Sequence, residues 1–320
     1  MDIILSVVGF IAGIAIILYG ANFLVRGASA LARKFKISEL IIGLTIVALG
    51  TSLPELVISV GSAIKGSSGI ALGNVVGSNI FNTMLILGIT ALINPIKFNG
   101  RMLSRELPFN LLASIVLILV AGSMVIGGEE GGFISQYSGM ILLCFLAIFI
   151  RYTFSIPNDD SNSEEVELPL PIWKIVVFII AGLIALIFGG KMFVSSATEV
   201  ARMLGMSEAI IGITIVSAGS SLPELAVSVN AARKGNVSIA LGNVLGSNIL
   251  NIFFILGCSA SITPISLNGF SPIDFFVLLA ASVLVYIVGK FGGKNIINRW
   301  EGAILTTGYI AYTTYLILNA

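Results

Sequence analysis

The chain is a succession of long apolar runs parted by short polar breaks. Runs of spanning length cover residues 3–25, 38–64, 70–93, 104–126, 133–155, 171–198, 207–232, 239–262, 272–289 and 300–318. A helix needs about 20 apolar residues to cross a bilayer. No run alternates with the period of a barrel strand. A backbone in lipid must satisfy its own N–H and C=O groups, so each run is predicted to be a helix. The first, Ile3 to Val25, lacks a basic stretch before it and is long enough to span, so a mature helix is expected there rather than a cleaved signal.

The pattern repeats itself. Ile41–Gly88 aligns without a gap on Ile210–Gly257 at an offset of 169, with 31 identities in 48 positions. IIGLTIVALGTSLPEL answers IIGITIVSAGSSLPEL, and ALGNVVGSNIFN answers ALGNVLGSNILN. Weaker pairs extend the offset, such as Gly20 with Gly189 and Asn94-Pro95 with Thr263-Pro264. The predicted fold is therefore an all-α membrane protein of ten transmembrane helices in two five-helix copies, residues 1–155 and 171–320. Five is odd, so the second copy enters the membrane from the opposite side and the repeats are inverted, a frequent plan in secondary transporters.

Charge gives an independent check. With an outer N-terminus, fourteen basic residues fall on inner loops and helix ends: Arg26, Arg33, Lys34, Lys36, Lys97, Arg101, Arg105, Arg151, Lys174, Arg233, Lys234, Lys290, Lys294 and Arg299. Only Lys65, Lys191 and Arg202 fall outside. That bias obeys the positive-inside rule and puts both termini on the extracellular face of the cell membrane. The connector 156–170 carries Asp159, Asp160, Glu164, Glu165 and Glu167 and is expected to be a solvated cytoplasmic loop without EF-hand spacing.

Composition narrows the chemistry. Charged residues make up 10% of the chain and hydrophobic ones 57%, too little charge to solvate a soluble surface, so lipid is the expected surroundings. A net charge of +1 argues against a nucleic-acid partner, and no obligate protein partner or cofactor is indicated. The chain has no His, which removes the commonest transition-metal ligand. Cys144 and Cys258 lie in apolar runs and suggest packing residues, not a disulfide framework.

Against that background two acidic residues stand out. Glu55 and Glu224 sit mid-span in GTSLPEL and GSSLPEL, with no Lys or Arg central to any run to pair with them. A charge there is costly unless a proton, polar neighbours or a bound cation compensates it. Pro54 and Pro223 precede them, so the carbonyls of Gly50 and Gly219 are expected to lose their helical donors and the turns at 48–51 and 217–220 to loosen. Freed carbonyls can ligate Na+ or Ca2+. The next helix of each copy sets Asn74, Ser78 and Asn82, or Asn243, Ser247 and Asn251, four apart on one face, while Asn79 and Asn248 fall off that stripe and suggest helix packing or backbone satisfaction. Carboxylates facing neutral oxygen donors make a hard-cation cage suited to Na+, Ca2+ or Mg2+. Gly73-xxx-Gly77 and Gly242-xxx-Gly246 allow close helix approach. Glu39 and Glu208, each after a Ser, and Asp274 read as first-turn acids of helices, and Asn22, Glu199 and Asn230 as interfacial.

The paired SLPEL and G-N-x-x-G-S-N motifs resemble the alpha repeats of the calcium/cation antiporter superfamily, in particular its prokaryotic sodium/calcium exchanger branch. The resemblance covers nearly the whole chain. It implies a core of the second, third, seventh and eighth helices around the ions, with the first and sixth sliding across it. It also implies a ligand set. Glu55 and Glu224 would be central, joined by side chains or carbonyls of Thr51 and Ser220. Ser78 and Ser247 would bind outer Na+ ions with the carbonyls of Ala48 and Ser217. Asn82 and Asn251 would complete the middle. The chain departs from some exchangers, which have Asp at the position of Asn251; two carboxylates match one Ca2+ in charge. The activity implied is antiport of Na+ against Ca2+. A proton/Ca2+ exchanger using the same carboxylates is the alternative, since two close buried carboxyls share a proton readily. A passive cation channel ranks below both. An enzyme is not expected, because no catalytic triad, thiol motif or phosphate loop is present.

Overall fold

The computed structural model describes residues 3–100, 102–125, 132–154, 170–205, 217–268, 270–291 and 295–319. The acidic connector, Leu170 apart, lies outside these residues, as do Arg101, Lys294 and positions 207–216 of the seventh expected span with Ser207 and Glu208.

The described chain is overwhelmingly helical. Helix α1 (Ile3–Phe35) is followed by α2 (Glu39–Thr51) and α3 (Leu53–Ile64), which meet at Ser52 in a 49° bend. Then come α4 (Ser68–Ile93), α5 (Met102–Val120), α6 (Gln136–Phe154) and α7 (Ile172–Met203). The single turn α8 (Ser217–Ser220) leads into α9 (Leu222–Arg233), α10 (Val237–Ile262), α11 (Pro272–Phe291) and α12 (Arg299–Asn319). Among the described residues seven helices are long and apolar enough to cross a membrane, or eight if the bent α2–α3 pair is one span. The seventh expected span is described only from Ser217 onward, and α12, with 21 residues, carries Arg299, Glu301 and four threonines.

Local chemistry explains several boundaries. Ser38 caps α2 by accepting a bond from the Ile41 N–H at 3.3 Å, with Glu39 in the first turn. Asp274 lies in the first turn of α11 and accepts a 2.7 Å bond from the Tyr312 hydroxyl. Helix α1 runs past its expected end at 25 to Phe35 because its last turns are amphipathic: Ala28, Ser29 and Ala32 are buried while Arg26, Arg33 and Lys34 face outward. Asn22 therefore sits within the helix, not at its end, and accepts a bond from Lys234 Nζ. Cys144 and Cys258 are both free thiols.

Two short antiparallel strand pairs tie the loops together, an addition to the all-helical expectation. β1 (Ile96–Lys97) pairs with β4 (Ile296–Ile297), and β2 (Phe133–Ile134) with β3 (Ile265–Ser266). They satisfy backbone groups that the loops would otherwise leave unpaired.

Burial separates a core from a rim. Of the most apolar stretch of α10, 94% is buried, and 67% of that of α4, against 28% for α1 and 22% for α7. The rim helices α1 and α7 pack on each other through glycines: a Cβ on Gly20 would lie 3.0 Å from the Gly182 carbonyl, and one on Gly182 2.7 Å from the Leu24 nitrogen. Within the core, Gly242 and Gly246 let α10 press on α2, where added Cβ atoms would meet the Leu40 and Leu44 carbonyls at 2.6 Å. Gly73 is less constrained, its nearest neighbour being the Phe270 ring at 3.6 Å.

Candidate cation site

The site is built on two broken helices. At Ser52 (φ −84°, ψ 7°) and Ser221 (φ −91°, ψ 8°) the chain leaves helical geometry and restarts at once. Pro54 and Pro223 fall in the first turn of α3 and α9, where a missing N–H costs nothing. Glu55 and Glu224 occupy the same first turns, at the end of a helix that favours negative charge. Both are 1% exposed.

Hydrogen bonds cross between the copies. Ser52, three residues before Glu55, donates to Glu224 Oε1 at 3.0 Å; Ser221, three before Glu224, donates to Glu55 Oε1 at 3.1 Å. Each of these serines touches the stripe of a core helix: Ser52 lies 3.1 Å from the Ser247 hydroxyl and Ser221 3.0 Å from that of Ser78. Thr51 donates to Asn243 Oδ1 at 3.1 Å and Ser220 to Asn74 Oδ1 at 3.1 Å. Asn74 in turn donates to the Glu55 carbonyl (3.3 Å) and Ser59 (2.9 Å), and Asn243 to the Glu224 carbonyl (3.2 Å) and Ser228 (3.0 Å). Every bond in this set has its counterpart at an offset of 169.

The remaining oxygens are the informative ones. Glu55 Oε2, Glu224 Oε2, Asn82 Oδ1 and Asn251 Oδ1 are buried without a hydrogen-bond partner. Among the described residues neither carboxylate is paired with a basic side chain. Buried polar atoms are nearly always satisfied, so open acceptors on both carboxylates and on the matching asparagines of the two core helices point to a ligand. Asn82 and Asn251 moreover sit in π-helical turns, Phe81–Ile86 and Asn251–Leu256, which recur at functional sites.

Of the expected residues, Glu55 and Ser78 thus meet through the Ser221 hydroxyl and Glu224 and Ser247 through that of Ser52, Ser247 also donating to Glu224 Oε1 at 3.5 Å, with Asn82 and Asn251 buried on α4 and α10. Thr51 and Ser220 hold the asparagines that hold the broken helices, and they also lie within bonding reach of the carboxyls, Thr51 of Glu224 and Ser220 of Glu55. The Ala48 carbonyl accepts bonds from the Ser52 N–H (3.0 Å) and the Thr51 hydroxyl (3.3 Å), so a cation there would compete with the hydroxyl. Ser217 opens the turn α8. Asn79 and Asn248 serve the backbone and each other's helices: Asn79 donates to the Asn248 carbonyl at 3.4 Å and accepts from Asn251 at 3.1 Å. The expected ligand set lacked Ser52 and Ser221, although their identity in both copies, three residues before each Glu, was a signal for them. Among the described residues no three acidic or thiol groups gather.

A sequence model described as sodium/calcium exchanger protein matches residues 5–155 and 174–318. The sodium/calcium exchanger MaX1 of Methanosarcina acetivorans is 35% identical over 346 aligned positions, covering 95% of this chain and 96% of its own. The inner membrane protein YrbG of Escherichia coli is 35% identical over 313, covering 96% and 95%. A solved structure of the sodium-calcium exchanger NCX_Mj superposes with a TM-score of 0.83 at 33% identity, over 98% of this chain and 99% of that one.

Proposed function

The chain belongs to the sodium/calcium exchanger protein family, and from that premise we propose that it exchanges Na+ for Ca2+ across the cell membrane by alternating access, both ions competing for one site at Glu55 and Glu224. The observation that carries this reading is the pair of buried carboxylates, each with one oxygen satisfied by a serine of the opposite copy and the other left without a partner. Two negative charges accept one Ca2+ or several Na+ ions in the same space, not both. An empty site would carry its double charge unscreened through the membrane, a costly crossing, so uncoupled leak is suppressed. Thr51, Ser220, Ser78, Ser247, Asn82 and Asn251, with the carbonyls of Ala48 and Ser217, complete or support the coordination.

The architecture proposed is ten spans in two inverted copies, 1–155 and 171–320, with the cytoplasmic connector 156–170 between them and both termini outside. The strand pairs support it. Ile96 of β1 corresponds in the duplication to Ile265 of β3, yet β1 bonds to β4 and β2 to β3. Loops bonded to each other share one side of the membrane. The loop after the third helix of one copy thus shares a side with the loop after the fourth helix of the other, as inversion requires. The rim pair α1 and α7 supplies the element that slides over the core; two states close in energy, biased by the ions, suffice for alternation.

The test is transport in reconstituted vesicles. Vesicles loaded with Na+ and diluted into Ca2+ take up Ca2+ in proportion to the Na+ gradient on this reading. Uptake that ignores Na+ and follows an imposed pH gradient would overturn it in favour of proton coupling, and flux without any counter-ion gradient would show a channel.

A further inference from the structure

The two halves of the site are nearly interchangeable, and the polar pairs around Asn82 and Asn251 are among those that differ. Asn251 donates to Asn79 Oδ1 at 3.1 Å. Its counterpart would be a bond from Asn82 Nδ2 to Asn248 Oδ1. That bond is not made: Asn82 Nδ2 and Asn248 Oδ1, the donor and the acceptor that correspond to Asn251 Nδ2 and Asn79 Oδ1, are both buried and unpartnered. Asn248 instead spends its Nδ2 on the Thr83 hydroxyl at 2.8 Å. The second copy has no such hydroxyl, because Ile252 stands where the first has Thr83. Thr83, Asn248 and Asn82 are 2%, 3% and 1% exposed.

We propose that Thr83 is the positioning residue that makes the site unequal and cation-responsive. By tying down the Asn248 amide it presents Asn248 Oδ1 as a prepared acceptor, and Asn82 closes the bond only when it turns its own oxygen to a bound Ca2+. Asn251 is already held with its oxygen free, whereas Asn82 is free at both ends. A buried donor and acceptor left unpaired cost free energy, and joining them as the cation binds recovers it as affinity. Ca2+, which takes six to eight oxygens, draws on such an extra ligand. The inference rests on the reading of Asn82 as a cation ligand.

The test is a Ca2+ titration of thermal unfolding of the purified full chain in Na+-free detergent, alongside vesicle uptake. Thr83→Val, which keeps the shape and removes the hydroxyl, is expected to raise the half-effective Ca2+ concentration about tenfold. Thr83→Ala is expected to do the same, and Thr83→Ser to return to within about twofold of the parent. Thr83→Val placed on Asn82→Ala is expected to add nothing, because Thr83 acts through Asn82. A parent-like titration of both hydroxyl-free variants, or an undiminished effect on the Asn82→Ala background, overturns the proposal and leaves the exchanger reading intact. A parent protein that Ca2+ does not stabilise at all overturns the site reading, and this inference with it.

Discussion

The Ser221 hydroxyl donates a 3.1 Å hydrogen bond to Oε1 of Glu55, across 166 residues of sequence and from one duplicated half to the other. Ser52 repeats it toward Glu224 at 3.0 Å. Each carboxylate is thus oriented by the other copy's helix break. A bond to an ionised acceptor contributes about 1.5–3 kcal/mol. Ser52→Ala and Ser221→Ala are each expected to weaken Ca2+ and Na+ activation of exchange by about ten- to hundredfold. Half-saturating concentrations in vesicles measure this, and unchanged values in both variants would show that the serines only fill space.

Glu55→Gln and Glu224→Gln keep the shape of the side chain and remove its charge. Exchange is expected to be abolished in each, because a single carboxylate no longer matches Ca2+. In cation-free buffer the same variants are expected to unfold at a temperature no lower than the parent's, because Gln keeps the shape and removes one of two like-charged groups held side by side. Flux and thermal unfolding measured together separate this outcome from simple misfolding; coupled transport retained in both variants would sink the site assignment.

Much of this site was legible in the chain. Glu55 and Glu224 announced themselves by their cost in apolar runs and by their matching places in two copies. The stripes Ser78–Asn82 and Ser247–Asn251 followed from helical spacing. What escaped was set by contacts between distant segments. Ser52 and Ser221 stand in GTSLPEL and GSSLPEL, but only the fold points each at the opposite carboxylate. Thr83 is one hydroxyl in an apolar helix, and its meaning depends on Asn248, 165 residues away. The strand pairs are two residues long, too short to show a period. The last turns of α1 read as a polar break because Arg26, Arg33 and Lys34 masked a buried small-residue face.

The helix glycines are not equivalent in what they permit. A Cβ at Gly242 or Gly246 would meet carbonyl oxygens of α2 at 2.6 Å, whereas one at Gly61 meets nothing within 4 Å. Gly242→Ala and Gly246→Ala are expected to destabilise the folded protein by about 1–3 kcal/mol, the range of overpacked cores. Gly61→Ala is expected to be neutral or slightly stabilising, through helix propensity. Thermal unfolding of the three variants decides it; equal behaviour at all three positions would contradict the close α2–α10 contact.

The strand pairs make inversion testable at the surface. If β1 and β4 lie in the cytoplasm and β2 and β3 outside, then Gly100, just after β1, and Asn268, just after β3, face opposite compartments although both follow the third helix of their copies. Both positions are exposed, and a side chain at Gly100 meets no neighbour within 4 Å, so a cysteine is tolerated at each. In a background with Cys144 and Cys258 replaced by Ser, an impermeant thiol reagent added to intact cells is expected to label Asn268→Cys and to spare Gly100→Cys, and inside-out vesicles are expected to reverse the pattern. A direct repeat would put both cysteines on one side, and labelling of both from the same face would refute the inverted arrangement together with the placement of both termini outside.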